Sequence, residues 1–394
     1  MATESPFFLT KVECPICKTL NEFETIRVGA YAETGRDTDF CPTGRKWRNP
    51  RYQAYNPLLY FIATCSNCFY SREFNNSFKE WKEDSYFKTY RVKTIKEKHL
   101  DLLAQADSVI KAIGQELDGN RHPNETAILK FLLAIQDELL NDKPVDLDLG
   151  RFYLRIGWVF REMEGGENTN RQAIKGYMTD IGSKYSLLKD SVAAVVEKAH
   201  HFEQAVAQQF EDVQISAEMK SMLYPMKDKY DHEFSSLREL MALIDGKIDT
   251  LEAILQEQKK QALGSGDDDA NPGFHNHRSF YDFLTGLAAQ WDRVPTNERE
   301  AITFAARYYK QAYEDGRDIG EGNQQIQASY LIAELSRRIG DYDLAREYFN
   351  TTIRNGQEFI YRNKGDQSRT ALARKILELA IEQGRSNLAE AKAV

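Results

Sequence analysis

Apolar residues from about residue 90 to the C-terminus recur at intervals of three and four, the spacing of helices that pack through one face. Between residues 185 and 255 this spacing becomes a heptad repeat in two segments. The first comprises Tyr185, Leu188, Val192, Val195, Ala199, Phe202 and Val206, and the second comprises Phe234, Leu237, Met241, Ile244, Ile248, Leu251 and Leu255. We predict a long antiparallel coiled-coil hairpin over residues 169–263. Two amphipathic helices packed flat on a globular core are the alternative.

Turn-forming residues divide the rest of this helical part. The predicted helices before the hairpin span residues 95–117, 125–140 and 148–163. Asn124 is the predicted N-cap of the second helix. A Gly- and Asp-rich loop at residues 264–278 separates the hairpin from a last helical region, residues 279–394.

The last helical region contains a segment, residues 327–353, that resembles a tetratricopeptide repeat. Gly340 allows the tight turn between its two helices. Tyr342 fills the gap between these helices, and Ala345 lets them approach closely. We therefore predict a tetratricopeptide-like helical body, whose groove would bind other proteins.

A weaker copy of this pattern occurs within residues 91–168, which we predict to be a helical repeat-like region. It contains Gly157, a residue type that lets a helix pack closely against its partner. The expected partner residues, Ala173 and Tyr177, come late in the sequence. We infer that this repeat helix is extended outward into the hairpin.

The first 90 residues follow a different pattern, with short stretches rich in Phe, Tyr, Val, Ile and Thr between turn residues. We predict strands over residues 22–31 and 58–64. Each lies beside a C-x-x-C pair, which allows one tight turn to direct two thiolates at one metal ion. The four residues of these pairs are Cys14, Cys17, Cys65 and Cys68. We predict a small β zinc ribbon over residues 1–90, with these cysteines as the ligands of a structural Zn²⁺.

Other chemistry is less consistent with these cysteines. Iron is the alternative metal, and four buried free thiols do not explain the paired spacing. A redox dithiol does not fit, since neither pair opens a helix of a βαβ unit. The fifth cysteine, Cys41, is a spare ligand, a reactive thiol or a lone buried side chain, and we expect the last. We expect the histidines at 200–201 and 275–277 to be helix-surface and loop residues.

Charge is unevenly distributed along the 394 residues, whose formal net charge is −8. Residues 1–100 contain 16 Lys and Arg and 12 Asp and Glu, a net charge of +4, and the remainder carries −12. This balance argues against nucleic acid bound along the whole molecule.

One basic and aromatic cluster in the N-terminal region keeps a nucleic-acid-binding module as the alternative function. The cluster comprises Arg45, Lys46, Trp47, Arg48 and Arg51. It also fits a solvated loop with Trp47 packed on the ribbon, or a contact to the acidic helical body.

Cellular location is predicted from what the sequence lacks. No apolar run approaches the roughly 20 residues of a membrane helix, and the first residues lack the features of a secretory signal. Five cysteines, four of them in metal-type pairs, suit a reducing compartment. We expect a cytoplasmic protein without membrane insertion.

The N-terminal motifs occur in a recognisable order: the first cysteine pair, then Gly-Arg-Asp-Thr-Asp-Phe at 35–40, then Asn-Pro-Leu-Leu-Tyr at 56–60, then the second pair. This order resembles the bacterial family called domain of unknown function 2225, over residues 8–163 and 280–385. The resemblance implies a four-cysteine zinc module joined to tetratricopeptide-like helices, and no known activity.

Three features depart from the family's pattern. Phe69 stands where a glycine is usual after the last cysteine, Cys41 is unusual, and the heptad segments look like an insertion. Asp37 and Asp39 of the family-like motif are either catalytic carboxylates, turn-forming residues or supports of the zinc turns, and we expect one of the latter two roles.

We therefore expect a mainly α, non-enzymatic, zinc-stabilised scaffold or adaptor. Its partners would be other proteins, bound through the helical repeats and the hairpin. A seam that closes between chains would give a homodimer or a place in a larger assembly.

Overall fold

The computed structural model describes residues 5–52, 55–164, 169–212, 216–263 and 274–392. The chain forms two compact units. The first unit, called the body here, combines Met1–Gly166 with Pro272–Val394, and the second, the hairpin unit, is Glu167–Asn271. The body is thus discontinuous in sequence.

Helices dominate both units, and the strands are confined to the first 75 residues. The strands are β1 (Phe7–Glu13), β2 (Leu20–Ile26), β3 (Tyr31–Glu33), β4 (Arg45–Trp47), β5 (Ile62–Thr64) and β6 (Ser71–Glu73). The helices are α1 (Asn76–Lys79), α2 (Val92–Ala104), α3 (Val109–Gln115), α4 (Pro123–Leu139), α5 (Asp146–Met163), α6 (Thr169–Asp212), α7 (Ala217–Leu263), α8 (Phe280–Gln290), α9 (Glu298–Asp315), α10 (Asn323–Ile339), α11 (Tyr342–Arg362) and α12 (Gln367–Ala391). The predicted mainly α fold with small N-terminal antiparallel strands is confirmed.

The strands form three separate antiparallel pairs, β1–β2, β3–β4 and β5–β6, rather than one small sheet. The prediction of a strand over residues 58–64 is wrong in its first half. Pro57–Tyr60 is a turn of 3₁₀-helix, because Asn56 caps it by accepting a hydrogen bond from the Leu58 backbone N–H. Only Ile62–Thr64 is strand.

Two helix predictions also need correction. The predicted helix over residues 95–117 is two helices, since Gln105 is extended and the Ser108 side chain caps α3 by accepting from the Lys111 backbone N–H. Helix α4 begins at Pro123, so Asn124 lies inside its first turn rather than at the cap. Proline is well suited to that first position, where its missing N–H costs nothing.

Close packing of α5 on α9 forms the centre of the body. A Cβ added at Gly150 would lie 3.0 Å from the Tyr309 ring, and one at Gly157 would lie 3.3 Å from the Ile302 side chain. Gly157 therefore packs against α9, which lies on the far side of the hairpin in sequence. The side chains of the predicted partner residues, Ala173 and Tyr177, lie outside the described ones.

The helices α10 and α11 meet at the turn predicted from the repeat-like pattern. Gly340 ends α10 with φ 86°, a left-handed conformation that favours glycine, and the Asp341 side chain caps α11. Ala345 is fully buried. The predicted tight turn is therefore present, and the tetratricopeptide-like interpretation of this region stays a prediction.

The hairpin unit consists of two antiparallel helices, α6 and α7. Their register is given by three contacts: the Lys189–Asp249 ion pair at 2.7 Å, the Arg238–Glu203 ion pair at 2.9 Å, and the Phe202 and Phe234 rings with centroids 5.8 Å apart. Three residues of the predicted seam, Tyr185, Val206 and Leu255, have side chains outside the described ones.

Among the described helices, none offers a stretch both long and apolar enough for a transmembrane span.

Candidate metal centre

The two cysteine pairs sit on two turns of the same geometry. The Lys18 backbone N–H donates to the Cys14 carbonyl at 3.1 Å, and the Phe69 N–H donates to the Cys65 carbonyl at 3.0 Å. Lys18 and Phe69, each directly after the second cysteine of a pair, have φ of 67° and 63°. This left-handed residue turns the chain so that both thiols of a pair face the same point.

The four sulfur atoms converge. All four Sγ atoms lie within 4.8 Å of one another, with 3.7 Å between Cys14 and Cys68 and 3.5 Å between Cys17 and Cys65. A tetrahedral site with zinc–sulfur bonds of about 2.3 Å has sulfur–sulfur edges of about 3.8 Å. Cys14, Cys65 and Cys68 are buried. The donor set therefore fits a closed four-thiolate metal site, in which these cysteines would hold the ion.

Polar groups around the sulfurs suit thiolates. Asn21, itself buried, donates to Cys65 Sγ at 3.4 Å and accepts from the Ser66 backbone N–H at 2.9 Å. The Asn67 N–H also points at Cys65 Sγ, at 3.5 Å. Hydrogen bonds from Cys14 and Cys68 hold the pKa of Cys65 well below its usual range. A sulfur with several donors is prepared for the charged form.

The residue that departs from the family's pattern, Phe69, is accommodated by a glycine elsewhere. A Cβ placed on Gly114 of α3 would lie 2.2 Å from Cγ of the Phe69 ring. The ring therefore occupies the space that any other residue at 114 would need. The bulky Phe69 side chain in its left-handed turn thus packs against α3, and this contact joins the second cysteine turn to that helix.

A buried histidine makes a second connection between this turn and the helices. His99 of α2 donates from Nε2 to the Cys68 carbonyl at 2.8 Å, and its Nδ1 lies 2.6 Å from Oδ1 of Asp137 in α4. The other Asp137 oxygen accepts from the Ser71 N–H at 2.6 Å. Burial alone would lower the pKa of His99, but the Asp137 carboxylate outweighs that effect and raises it. The cysteine turn is thus fixed to two helices through one imidazole.

Asp37 and Asp39 bind arginines of the body and make no hydrogen bond to the cysteine turns. Arg161 of α5 donates to Asp37 Oδ2 at 2.9 Å and to Asp39 Oδ2 at 2.7 Å. Arg338 of α10 lies 2.9 Å from Asp37 Oδ1. The expectation that these aspartates support the zinc turns is therefore wrong. Their turn-forming role does hold locally, since Asp39 accepts from the Cys41 N–H at 3.1 Å.

Two glutamates complete this group of charges, which we call the ionic cluster. Glu298, at the start of α9, accepts from Arg161 at 2.6 Å, and Glu334 of α10 accepts from Arg338 at 2.8 Å. Burial raises the pKa of Glu298 to about 7, although Arg161 opposes this. Burial would also raise the pKa of Asp39, but Arg338 and Arg161 together hold it below its usual range.

The ionic cluster is a joint between the N-terminal segment and three helices. Asp39, Glu298 and Glu334 are almost fully buried, and the two arginines nearly so. Sequence reasoning missed Arg161, Glu298, Glu334 and Arg338. A signal was available, since Glu298 occupies a position in the apolar register of α9, three and four residues before Ala301 and Ile302.

The residues of the basic and aromatic cluster, on and beside the strand β4, differ in exposure. Arg45 forms two hydrogen bonds with Glu162 of α5, at 2.9 and 2.7 Å, and Trp47 is buried among Phe7, Tyr31 and Tyr52. Lys46 and Arg48 are exposed. The side chain of Arg51 lies outside the described ones.

The remaining candidates are explained by packing. Cys41 is buried away from the other four cysteines, and burial raises the pKa of its thiol to about 12. His275 and His277 lie next to Glu116, at 3.8 and 3.7 Å. His200 lies on the exposed surface of α6 near Glu203.

The family model described as "Uncharacterized protein conserved in bacteria (DUF2225)" matches residues 7–261 and 286–375. The chain belongs to this family. The DUF2225 match includes all four cysteines, the ionic cluster and most of the hairpin unit. The heptad segments fall inside the matched range, and their interpretation as an insertion into the family's pattern stays a prediction. No curated protein and no solved structure is significantly similar to the chain.

Proposed function

We propose that this DUF2225 protein is a zinc-stabilised, non-enzymatic assembly protein of the cytoplasm, and that its hairpin unit binds other protein chains. Zinc is supported by the four-thiolate donor set and by sulfur–sulfur distances near those of a tetrahedral zinc site. A closed site of this kind has no position for substrate, so its role is to hold the cysteine turns together. A reducing compartment keeps such thiols available.

Metal analysis of the purified protein tests the zinc assignment. We expect one zinc per chain in the parent and in Cys41→Ser, and loss of zinc in Cys14→Ser and Cys65→Ser. Cys41 is the matched control because it is buried but stands apart from the four sulfurs. Iron in place of zinc, or a parent protein without metal, would contradict the assignment.

The observation that carries the assembly role is the exposure of the predicted seam in the hairpin unit. The first-segment residues Leu188, Val195 and Phe202 are 46–56% exposed, and Leu237, Ile244 and Leu251 of the second are 36–42% exposed. Among the described side chains of this unit, Met241 and Ile248 are buried. Two helices alone leave most of this seam in water.

Further apolar side chains widen this surface along α7. Met219, Met222, Met226 and Leu240 are 52–75% exposed. Together, the half-exposed large apolar residues of the hairpin unit present an area on the order of 1,000 Å², which is comparable to the roughly 800 Å² that each partner of a stable complex buries. A soluble protein with such a surface normally covers it with a partner.

The occupant that we propose is a second copy of the hairpin unit. Two antiparallel hairpins packed face to face form a four-helix bundle, in which half-exposed seams become the common core. The symmetry of a homodimer brings the same apolar surface from both sides. Other protein partners would then bind the helical body of the assembled protein.

Light scattering coupled to size-exclusion chromatography tests this role. We expect the parent to be a dimer and Met222→Glu/Leu240→Glu to be a monomer, since 222 and 240 lie on one face of α7, five helical turns apart. The control is Ser235→Glu/Ala242→Glu, which adds the same charge at exposed positions on the opposite face and should remain a dimer. A monomeric parent, or a dimer in all three proteins, would refute the hairpin interface.

The nucleic-acid alternative is not favoured by the arrangement of its residues. Trp47 is buried and therefore cannot stack on a base, and Arg45 is engaged by Glu162. Among the described side chains of the cluster, Lys46 and Arg48 remain exposed, and two cations support only weak, salt-dependent binding to phosphates.

A further inference from the structure

A cavity of about 460 Å³ lies in the body, between the strands β2 and β5 and the helices α3 and α4. This volume is within the range of small-molecule sites. Apolar side chains line much of it: Phe23, Leu59, Tyr60, Phe69, Phe74 and Leu117. It also reaches Cys65 and Ser66 of the second cysteine turn.

The cavity contains one cation, Lys130 of α4. Its Nζ donates to the Leu59 carbonyl at 2.9 Å, and no carboxylate of the described residues lies within ion-pair distance. Protein surrounds the amine, and this burial lowers the pKa of Lys130 to about 8, with Glu24 opposing. The side chain nevertheless keeps some accessible surface, because the cavity reaches it.

Two deeply placed arginines of the body are paired with carboxylates, whereas Arg155, which protein also surrounds, has only the Arg151 carbonyl and the Phe61 ring as described partners. Arg161 has three carboxylates within 3 Å, and Arg338 has two. An ammonium removed from water without a counter-charge is costly. Lys130 thus offers the cavity an ammonium without an ion pair at contact distance, although the Glu24 carboxylate acts on it from farther away.

We propose that this cavity binds a small organic monocarboxylate, with its carboxylate at Lys130 Nζ and its apolar part against the six apolar side chains that line the walls. A ligand with a single negative charge is favoured because Glu22 and Glu24 of β2 also line the cavity. Glu24 in addition acts on the Lys130 ammonium. A second negative group on the ligand would be repelled by these two glutamates.

Isothermal titration of the full-length, metal-loaded protein tests the site, with octanoate as the probe and octanamide as its uncharged counterpart. We expect saturable octanoate binding at one site per chain and binding at least tenfold weaker for octanamide. Lys130→Met should lose octanoate binding by at least tenfold. Lys111→Met, an exposed lysine on the neighbouring helix α3, should bind as the parent does.

A second variant keeps the proposal testable if Lys130→Met does not fold. Leu117→Trp puts a larger side chain into the lining of the cavity and leaves Lys130 in place, so it should also weaken octanoate binding. Melting temperatures give an independent readout: octanoate should raise that of the parent and of Lys111→Met, and leave that of Lys130→Met unchanged.

Two results would overturn the proposal. One is equal octanoate binding by the parent and Lys130→Met, which would mean that the carboxylate binds elsewhere. The other is the absence of saturable binding by the parent up to about 10 mM, an affinity too weak for a built site. Neither result depends on the oligomeric state of the hairpin unit.

Discussion

The body and the hairpin unit place their apolar and charged residues in opposite ways. In the body, large side chains such as Tyr153, Phe131 and Tyr330 are fully buried, and the buried arginines are surrounded by carboxylates. In the hairpin unit, leucines and methionines are half exposed, and its ion pairs lie on the surface. The largest apolar side chains of the body are thus covered within the chain, whereas the hairpin unit presents the apolar surface on which the proposed dimer rests.

Because of this difference, we expect mutations in the two units to have different effects. Changes in the body should lower its free energy of unfolding, whereas changes on the hairpin surface should alter association and little else. All four tryptophans, Trp47, Trp81, Trp158 and Trp291, belong to the body. Tryptophan fluorescence during denaturation therefore measures the stability of the body alone.

The largest effect should follow removal of the metal. We expect chelation, or Cys65→Ser, to unfold the N-terminal segment, because a module with so little apolar surface folds only with its ion. Hydrogen exchange should show lost protection in residues 7–79 and unchanged protection in α6 and α7. Equal loss of protection in both units would mean that the hairpin unit also depends on the metal. The control, Cys41→Ser, should leave the amides of both units protected.

The next largest effect should come from the ionic cluster. Asp39→Ala leaves Arg161 and Arg338 short of a buried counter-charge, which should cost about 3 to 5 kcal/mol of unfolding free energy. The control is Glu33→Ala, which removes a surface partner of Arg36 and should cost about 0.5 kcal/mol. Denaturation followed by tryptophan fluorescence measures both. Similar losses of unfolding free energy for the two variants would mean that the ionic cluster contributes no more than a surface ion pair.

The contact between Phe69 and Gly114 should give a smaller effect. Gly114→Ala puts a methyl group into the Phe69 ring and should destabilise the body by about 2 kcal/mol. Gly286→Ala, on α8 with open space around it, should instead be neutral or stabilising. Phe69→Gly should relieve part of the cost of Gly114→Ala, so a double-mutant cycle should show a coupling of about 1 kcal/mol. Strict additivity would exclude the steric explanation.

Alkaline pH should stabilise the parent relative to Lys130→Met. The pKa of Lys130 is lowered from 10.5 to about 8 in the folded chain, so the unfolded chain binds more protons between these values and stability rises with pH. Between pH 7 and pH 10 we expect the unfolding free energy of the parent to rise by on the order of 1 to 2 kcal/mol relative to Lys130→Met. This is less than the whole pKa shift would give, because the Lys130 side chain retains some solvent contact. Glu22, Glu24 and Tyr60 also line the cavity. Because Glu24 raises the pKa of Lys130, Glu24→Gln should lower that pKa further and increase the gain in stability with pH. A difference independent of pH would contradict the lowered pKa.

The smallest effect on stability should come from the hairpin surface. Met222→Glu/Leu240→Glu should change the unfolding free energy of the body by less than about 0.5 kcal/mol, even where it abolishes the dimer. Body destabilisation as large as that of Asp39→Ala would mean that the two units are not independent.

Local patterns in the sequence were enough to predict the mainly α class, the four clustered cysteines and the two long helices. They failed where a distant residue decides the outcome. The aspartates at 37 and 39 gave no indication of their partners in α5 and α10, and Gly157 gave none that α9 packs on it. Lys130 carried a signal of another kind, since it interrupts the apolar run from Ala127 to Ile135. A charge at such a position indicates a special environment without revealing which one.

The packing of α5 on α9 has a consequence for the order of folding. These helices are separated in sequence by the whole hairpin unit, and closing a flexible loop of that length slows the search for a native contact. In an antiparallel hairpin, the contacts nearest the connection between the two helices close the shortest loops and form first, and each later contact then closes only a short loop. The effective loop between α5 and α9 is then short. The hairpin unit would thus set the rate at which α5 and α9 meet.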